Sequence, residues 1–390
     1  MATSSAAEKL ASTAVAAAAL VRSAGALARS HPRAPAPATT STPSSARAKA
    51  YNTRDPFVVP PQDPAETARL AQQDGRGRQA DRPSEIPAKG WRDVARRVIG
   101  EVKTDNLPLL SAGVAFYALL AIFPALVAVV SIYGLVADPS EVSRQMESLT
   151  RTLPADAADL LVDQVRTIVG TSDGKLGVSA AIGIITALWS ASSGMKWLLT
   201  ALSLVYDEPE DRKFVKLRGT ALILTIGAIV GFVISLGLIA ATPALARLVG
   251  LGSTGKIVAT VLRWPLLAAL VVGGLAVIYK WGPNRDRAKW RWVSWGSGIA
   301  AVIWLVASAG FALYAAVAGD FQESYGSVGG VVVMMLWLFL SVFSVLLGAE
   351  VNAEMEHQTA RDTTTGQNRP LGSRGATMAD EVGEPAVEKR

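Results

Sequence analysis

The chain has 390 residues, a formal net charge of +6, a hydrophobic fraction of 50% and only 18% charged residues. Soluble domains carry about a quarter charged residues, so this composition is typical of a large membrane domain with polar ends. The absence of cysteine excludes disulfides, thiolate nucleophiles and thiolate metal sites. Because the basic clusters lie beside apolar runs, we attribute the positive charge to membrane topology and predict no nucleic-acid partner.

The first 90 residues are rich in Ala, Pro, Ser, Thr and Arg and have too little apolar surface to offset the entropy of folding. We therefore predict a disordered tail over residues 1–90. Residues 11–21 are Ala-rich, but Glu8 stands where a signal peptide would be basic, so we interpret this stretch as part of the tail. A second disordered tail is predicted over residues 359–390.

A helical pattern begins at residue 91. Trp91, Val94 and Val98 recur at helical spacing, while Arg92 and Arg97 hold other positions of the turn. This pattern predicts a basic amphipathic helix. Such a helix either lies along the inner membrane surface or simply leads into the first span, and the sequence leaves both alternatives open.

Six apolar runs follow, and about 20 largely apolar residues suffice for a helix to cross a bilayer. The runs cover residues 109–136, 176–199, 217–241, 264–279, 293–318 and 328–348. Between the first two, residues 138–173 are polar but periodic, which predicts one or two amphipathic helices outside the bilayer. The fold predicted for residues 91–358 is therefore an all-α polytopic membrane domain with six transmembrane helices.

The distribution of Lys and Arg predicts the orientation, since basic loops favour the cytoplasmic side. The lead-in helix and the loops after the second and fourth runs are basic, whereas the segments after the first and fifth runs are mainly acidic. Residues 242–263 are a modest exception. We expect both termini in the cytoplasm.

Several separated motifs, in the same order, resemble the YihY/BrkB family of bacterial inner-membrane proteins. They are Ser111 to Tyr117 with Phe123 and Pro124; Tyr206 with Glu208, Arg212 and Phe214; Pro283, Asn284 and Arg285 with Trp290; Tyr325 to Gly330 with Trp337; and Gly348 to Ala353. The resemblance covers residues 91–358. It implies six transmembrane helices and a multi-pass location in the bacterial inner membrane. Some members of the family are linked to virulence, and an older name, ribonuclease BN, is regarded as a misassignment.

The residues themselves argue against enzymatic chemistry. His31 and His357 are the only histidines, and they lie far apart without the spacing of a metal site. A Gly-rich phosphate-binding loop ending in Lys-Ser or Lys-Thr is also absent. We therefore predict a protein that is not an enzyme, with no catalytic residue, no cofactor and no metal.

Candidate functional residues are polar or conformationally special positions in the spans and shared motifs: Tyr117, Pro124, Tyr325, Gly326, Glu350 and Asn352. Glu350 is either an anchor at the membrane boundary or a functional carboxylate, with Arg212 or Arg285 as a potential partner. Hydroxyl groups on the spans either line a path or bond neighbouring helices.

Two functional hypotheses follow. The first is transport or translocation of a lipid or small solute, and the second is a non-transporting envelope scaffold. Membrane lipids are the expected partners in both. The sequence leaves the oligomeric state open.

Overall fold

The computed structural model describes residues 62–73, 75–136, 176–248, 253–317 and 329–385. All of these belong to one compact unit, Arg47–Arg390. The predicted amphipathic helices of residues 138–173 and most of the N-terminal tail lie outside the described residues.

Regular structure in the described residues is helical. The helices are α1 (Pro64–Ala71), α2 (Ala88–Thr104), α3 (Leu107–Val136), α4 (Leu176–Val205), α5 (Phe214–Leu248), α6 (Ser253–Trp281), α7 (Trp290–Val317), α8 (Gly329–Gln358) and α9 (Thr377–Asp380), with a 3₁₀ turn at Pro83–Glu85. Extended pairing within the described chain is limited to an isolated bridge between Ala288 and Thr364. The all-α prediction is confirmed for this part of the chain.

Six long helices, α3 to α8, occupy the positions of the six predicted spans. Four of them, α5 to α8, are long and apolar enough to cross a membrane, and a fifth span is present if α2 and the start of α3, bent by 63°, count as one. In α4, Lys196 and several hydroxyls interrupt the apolar sequence. The structure therefore shows a helical protein with four to five candidate spans, and a sixth stays a prediction.

The long helices form a closed ring in chain order. Each of α3 to α7 contacts the helix that follows it, and α8 closes the ring by contacting both α7 and α3. Helix α8 also contacts α2, α4 and α9, so it contacts more elements of the fold than any other described helix.

The buried core is concentrated at one end of the ring, where α4, α6 and α8 finish and α3, α5 and α7 begin. We call this the capped end. Tyr206, Tyr279, Leu346 and Ala349 are completely buried there. Elsewhere the helices expose large apolar side chains, such as Phe232 of α5. Extensive exposed apolar surface of this kind is typical of a surface that faces lipid.

Helices α7 and α8 cross in close contact at two glycines. A Cβ atom on Gly348 would lie 2.5 Å from Cβ of Ala300 and 2.7 Å from the hydroxyl of Tyr279. A Cβ atom on Gly296 would collide with the carbonyl oxygen of Gly348 and the side chain of Asn352. Small residues allow helix backbones to approach closely in a membrane, so this pair sets the distance between the helices.

Two turns at the capped end use left-handed backbone conformations. Asn106, between α2 and α3, and Asp207, just after α4, both have φ of 51°. Asn and Asp tolerate this region better than most residues because their short polar side chains bond locally. The turn at Asn106 lets the chain change direction between α2 and α3.

Parts of both predicted tails pack against the capped end. The guanidinium of Arg78 donates hydrogen bonds to the carbonyl oxygens of Gln358 (3.1 Å) and Gly383 (2.6 Å). The Thr359 hydroxyl donates to the carbonyl oxygen of Ala80 at 2.7 Å. Hydrogen bonds between distant segments thus hold residues 62–73 and 75–90 against residues 359–385, for which composition alone predicts disorder. For the remaining tail residues, and for the domain boundaries, the prediction stays a prediction.

We predict that Gly296→Ala destabilises the protein by about 1–3 kcal/mol, because the added methyl group meets backbone that cannot move aside. The measurement is thermal unfolding of the purified protein in detergent. Gly298→Ala on the same helix is the matched control, since a Cβ atom there meets nothing within 4 Å. It should be neutral or stabilising by up to about 1 kcal/mol. Equal effects of the two substitutions would contradict the close crossing.

Candidate functional site

A buried ion pair joins the loop before α7 to the end of α8. The guanidinium of Arg285 donates to both carboxylate oxygens of Glu356, at 2.6 and 3.1 Å, and the two side chains are 2% and 0% exposed. The Thr363 hydroxyl donates to the same carboxylate at 2.7 Å. The guanidinium also lies 4.1 Å from the ring centre of Tyr206. Burial lowers the pKa of Arg285 and the Glu356 carboxylate raises it, with a net rise.

A second set of bonds holds the loop after α4 against the loop before α7. The side-chain amide of Asn284 donates to the Pro209 carbonyl oxygen (2.9 Å) and to Asp211 Oδ1 (2.6 Å). The backbone N–H of Asn284 donates to the Ser203 hydroxyl at 3.1 Å. The two central sequence motifs, around residues 206–214 and 283–290, therefore meet in space.

Glu350 is buried and has no partner among the described residues. Its side chain is 0% exposed, and neither carboxylate oxygen has a hydrogen-bond partner. Neither proposed arginine reaches it, because Arg285 pairs with Glu356 and Arg212 with Glu210. The suggested pairing of Glu350 with either arginine is thus wrong. A boundary anchor would be expected to reach solvent or a polar partner, and this carboxylate reaches neither among the described residues.

Four other carboxylates lie close enough to Glu350 to act on it electrostatically: Glu101, Asp105, Asp207 and Glu354. We call these five residues the carboxylate cluster. Burial, with the charges of Glu101 and Glu354, raises the pKa of Asp105 to about 7. Burial, with the charges of Asp105 and Glu101, raises the pKa of Asp207 to about 8. The cause in both cases is that ionised carboxylates lose hydration and repel one another.

Positive charge compensates only one side of this cluster. Arg97 of α2 forms an ion pair with Glu354 and donates at 2.7 Å to Gln358 Oε1. His357 Nδ1 lies 3.7 Å from the Glu354 carboxylate. Arg97 thus reaches into the packed end, rather than lying on the free polar face of the lead-in helix. No ion pair in the described chain joins a base to Glu350.

Asn352, two residues after Glu350, fastens α8 to α7. Its Oδ1 accepts a hydrogen bond from the Gly296 N–H at 2.8 Å, and its Nδ2 donates to the Val293 carbonyl oxygen at 3.3 Å. The amide is completely buried. The side-chain amide of Asn352 therefore fixes this part of α8 against α7, and with it the position of Glu350.

The other candidate residues do not join this cluster. Tyr117 of α3 stacks on Trp197 of α4 with ring centres 4.7 Å apart. Pro124 lies within α3, which continues through it. Tyr325 and Gly326 lie outside the described residues. The structure thus places Glu350 and Asn352 at the capped end, and the functional role of all six candidates stays a prediction.

Hydroxyl groups on the helices bond mainly to their own backbone. The donors are Ser111 to Leu107 O, Ser192 to Trp189 O, Ser341 to Trp337 O and Ser344 to Leu340 O, at 2.7–2.8 Å. One hydroxyl also links helices, because the indole N–H of Trp304 donates to Ser341 Oγ at 3.0 Å. These bonds favour a structural role for the hydroxyls over a water-lined path.

The described residues contain no group of three or more His, Asp or Glu arranged to hold a metal ion. The carboxylate cluster thus differs from a metal centre in geometry. What it offers chemically is a set of buried and half-buried acids, of which only Glu354 forms an ion pair with a base among the described residues.

The apolar helices with lipid-facing surfaces define a polytopic helical membrane protein. The family described as Virulence factor BrkB matches residues 98–371. The chain belongs to this family of membrane proteins. The match extends past residue 358, so the first part of the predicted C-terminal tail is part of the family's domain.

Individual relatives agree with this assignment. The chain is 31% identical to the ribonuclease-like protein YfkH of Bacillus subtilis, over 62% of this chain and 88% of the relative. It is 26% identical to UPF0761 membrane protein VV0203 of Vibrio vulnificus, over 70% of this chain and 87% of the relative. A UPF0761 membrane protein of Tolumonas auensis is 34% identical over 26% of this chain and 33% of its own length. No solved structure matches the chain.

Sequence reasoning missed several residues of the capped end. Asp105 and Asp207 occur in short polar turns, and Glu356 follows the last apolar run, so each resembles an ordinary loop residue. A usable signal existed at Asp207, because it directly follows Tyr206 in a family motif. The pairing of Glu356 with Arg285 has no signal in the sequence, since 71 positions separate them.

We predict that Arg285→Ala destabilises the protein by about 3–5 kcal/mol, because it leaves the buried Glu356 carboxylate uncompensated. Denaturation of the purified protein in detergent measures the change. Arg369→Ala is the control, since its ion pair with Asp286 is 38% and 51% exposed. Exposed pairs contribute at most about 1 kcal/mol. A loss of similar size in both variants would count against a special role for the buried pair.

We also predict that the stability of the protein falls as the pH rises from about 4 to about 8. The pKa of Asp207 is about 8 in the folded protein and about 4 when unfolded. The folded state therefore holds more protons in this range, and the unfolded state gains stability as its carboxyl group ionises. Asp207→Asn should flatten the dependence and raise the unfolding temperature at pH 8 by at least about 2 °C. Parallel pH curves for the two proteins would refute this assignment.

Proposed function

We propose that this chain facilitates the movement of a lipid or small solute across the bacterial inner membrane. Of the two, a lipid is the favoured substrate. In this proposal α3 to α8 are six transmembrane helices. The Lys and Arg residues of the loops support a cytoplasmic position for the capped end and for both termini. The chain acts without enzymatic chemistry of its own.

The proposal depends on the burial of the Glu350 carboxylate. This residue lies in α8, just past the apolar run of residues 328–348, with no exposed surface and, among the described residues, no hydrogen-bond partner. An ionisable group buried without a partner next to a span is costly, and such groups commonly mark functional sites. A scaffold needs only surfaces for its partners, so it gains nothing from this cost.

A groove on α7 favours a lipid over a polar solute. It is open to the outside and lined mainly by apolar atoms, from Ser294, Trp295, Gly298, Ile299, Val302 and Ile303. Trp295 packs on Trp91 of α2 with ring centres 5.9 Å apart. Tryptophan is enriched where hydrocarbon meets headgroups. The lining of the groove therefore suits an acyl chain, because it is apolar along its length and polar at one end.

The scaffold hypothesis is the second candidate, and one observation favours it. Hydroxyls along the helices are bonded to their own backbone, as expected for a dry, packed bundle. The packed segments 62–90 and 359–385 would then offer a folded surface to partner proteins. The ribonuclease-like name of the Bacillus subtilis relative belongs to that protein. We propose no nuclease activity here.

Reconstitution into liposomes tests the proposal. Headgroup-labelled lipid in the inner leaflet is protected from an impermeant reductant until it crosses the bilayer, and an enclosed dye reports movement of small solutes. We predict that the protein accelerates lipid movement. Glu350→Ala and Tyr325→Ala should slow it roughly tenfold or more, as when about 1.4 kcal/mol is lost from the rate-limiting state.

Glu85→Gln is the matched control, because this acid is exposed and pairs with the neighbouring Arg82. It should leave the rate unchanged. If a well-folded preparation moves neither lipid nor dye, the scaffold hypothesis replaces the transport proposal.

A further inference from the structure

We propose that the carboxylate cluster around Glu350 is a proton-binding site that is occupied at neutral pH. The cluster would bind protons whether or not the protein moves a lipid or solute.

The first argument is the environment of Glu350. An ionised carboxylate that is buried without a hydrogen-bond donor or a cation beside it loses its hydration energy, and the group takes up a proton instead. Both oxygens of Glu350 are in this situation among the described residues. A proton removes the charge and also turns the acceptor-only group into a donor.

The second argument is the balance of charge around Glu350. The acids that act on Glu350 directly are Glu101 of α2, Asp105 of the following turn, Asp207 after α4 and Glu354 of α8. The other charged and titratable groups beside Glu350 or these neighbours are Arg97 of α2, Tyr206 after α4, Tyr279 of α6, Arg285 before α7, Glu356 and His357 of α8, and Glu381 of the C-terminal segment. The two arginines are occupied by Glu354 and Glu356. Glu101, Asp105, Asp207 and Glu350 therefore face one another without a described ion pair to a base. Bound protons relieve this repulsion.

The third argument is the choice of ligand. A metal ion needs several oxygen ligands at short, defined distances. The described acids form no such group. A proton needs only one oxygen and can be shared among neighbouring carboxylates. The raised pKa values of Asp105, to about 7, and Asp207, to about 8, agree with protons being held near neutral pH.

The position of the site gives the proton access from one side. Asp105 and Asp207 are partly exposed, whereas Glu350 is completely buried. Asp105 directly precedes the left-handed Asn106, and Asp207 is itself left-handed, so both lie in turns at the capped end. Protons from solvent therefore meet Asp105 and Asp207 before Glu350.

Infrared titration of the full-length protein in detergent tests the inference. The carbonyl stretch of a protonated carboxyl group is distinct from that of a carboxylate. Ordinary Asp and Glu lose this band near about pH 4. We expect part of the band to persist above about pH 6 and to disappear in two or more steps at higher pH. Glu350→Gln should remove the step that belongs to one carboxyl group, and Glu85→Gln should leave the persistent band unchanged.

A second variant keeps the test decisive if Glu350→Gln fails to fold. Asp207→Asn removes one repelling charge and suits the left-handed conformation at this position. It should shift the remaining persistent band to lower pH. The inference is overturned if the wild-type protein loses its whole band with ordinary carboxyl groups. It is equally overturned if a folded Glu350→Gln or Asp207→Asn protein keeps the wild-type titration.

Discussion

The crossing of α7 and α8 controls the architecture of the capped end. Gly296 and Gly348 let the two backbones touch, and the Asn352 amide bonds to the backbone of α7 at this point. In hydrocarbon, apolar side chains gain little by leaving the solvent, so close packing and hydrogen bonds between helices provide the specificity. This contact carries the C-terminal half of α8, with Glu350, into the interior.

The capped end combines compensated and uncompensated charge. The pairs Arg285–Glu356 and Arg97–Glu354 hold the loops, the lead-in helix and α8 together. Neighbouring Glu350 has no such partner in the part of the chain that the structure describes. Because both arrangements occupy the same few turns of helix, a change in protonation of the cluster acts directly beside the pairs that fasten the structure.

The match to the BrkB family covers both the apolar helices and the capped end. The match runs from residue 98, within α2, to residue 371, so it includes the second part of the lead-in helix and the first part of the C-terminal segment as well as the apolar helices. The motifs around Tyr206, Asn284 and Glu350 are distant in sequence, yet they meet at one end of the ring.

The sequence by itself determined the helical class, the positions of the long helices and the family. Length and hydropathy carry this information locally, because each helix in a membrane must satisfy its own backbone hydrogen bonds. It also singled out Glu350 and Asn352 by their motif. The tertiary structure alone decided that Arg285 pairs with Glu356, that Asp105 and Asp207 adjoin Glu350, and that residues 62–90 and 359–385 pack together. Such contacts join residues up to 319 positions apart, and neither composition nor periodicity shows which distant polar groups will meet.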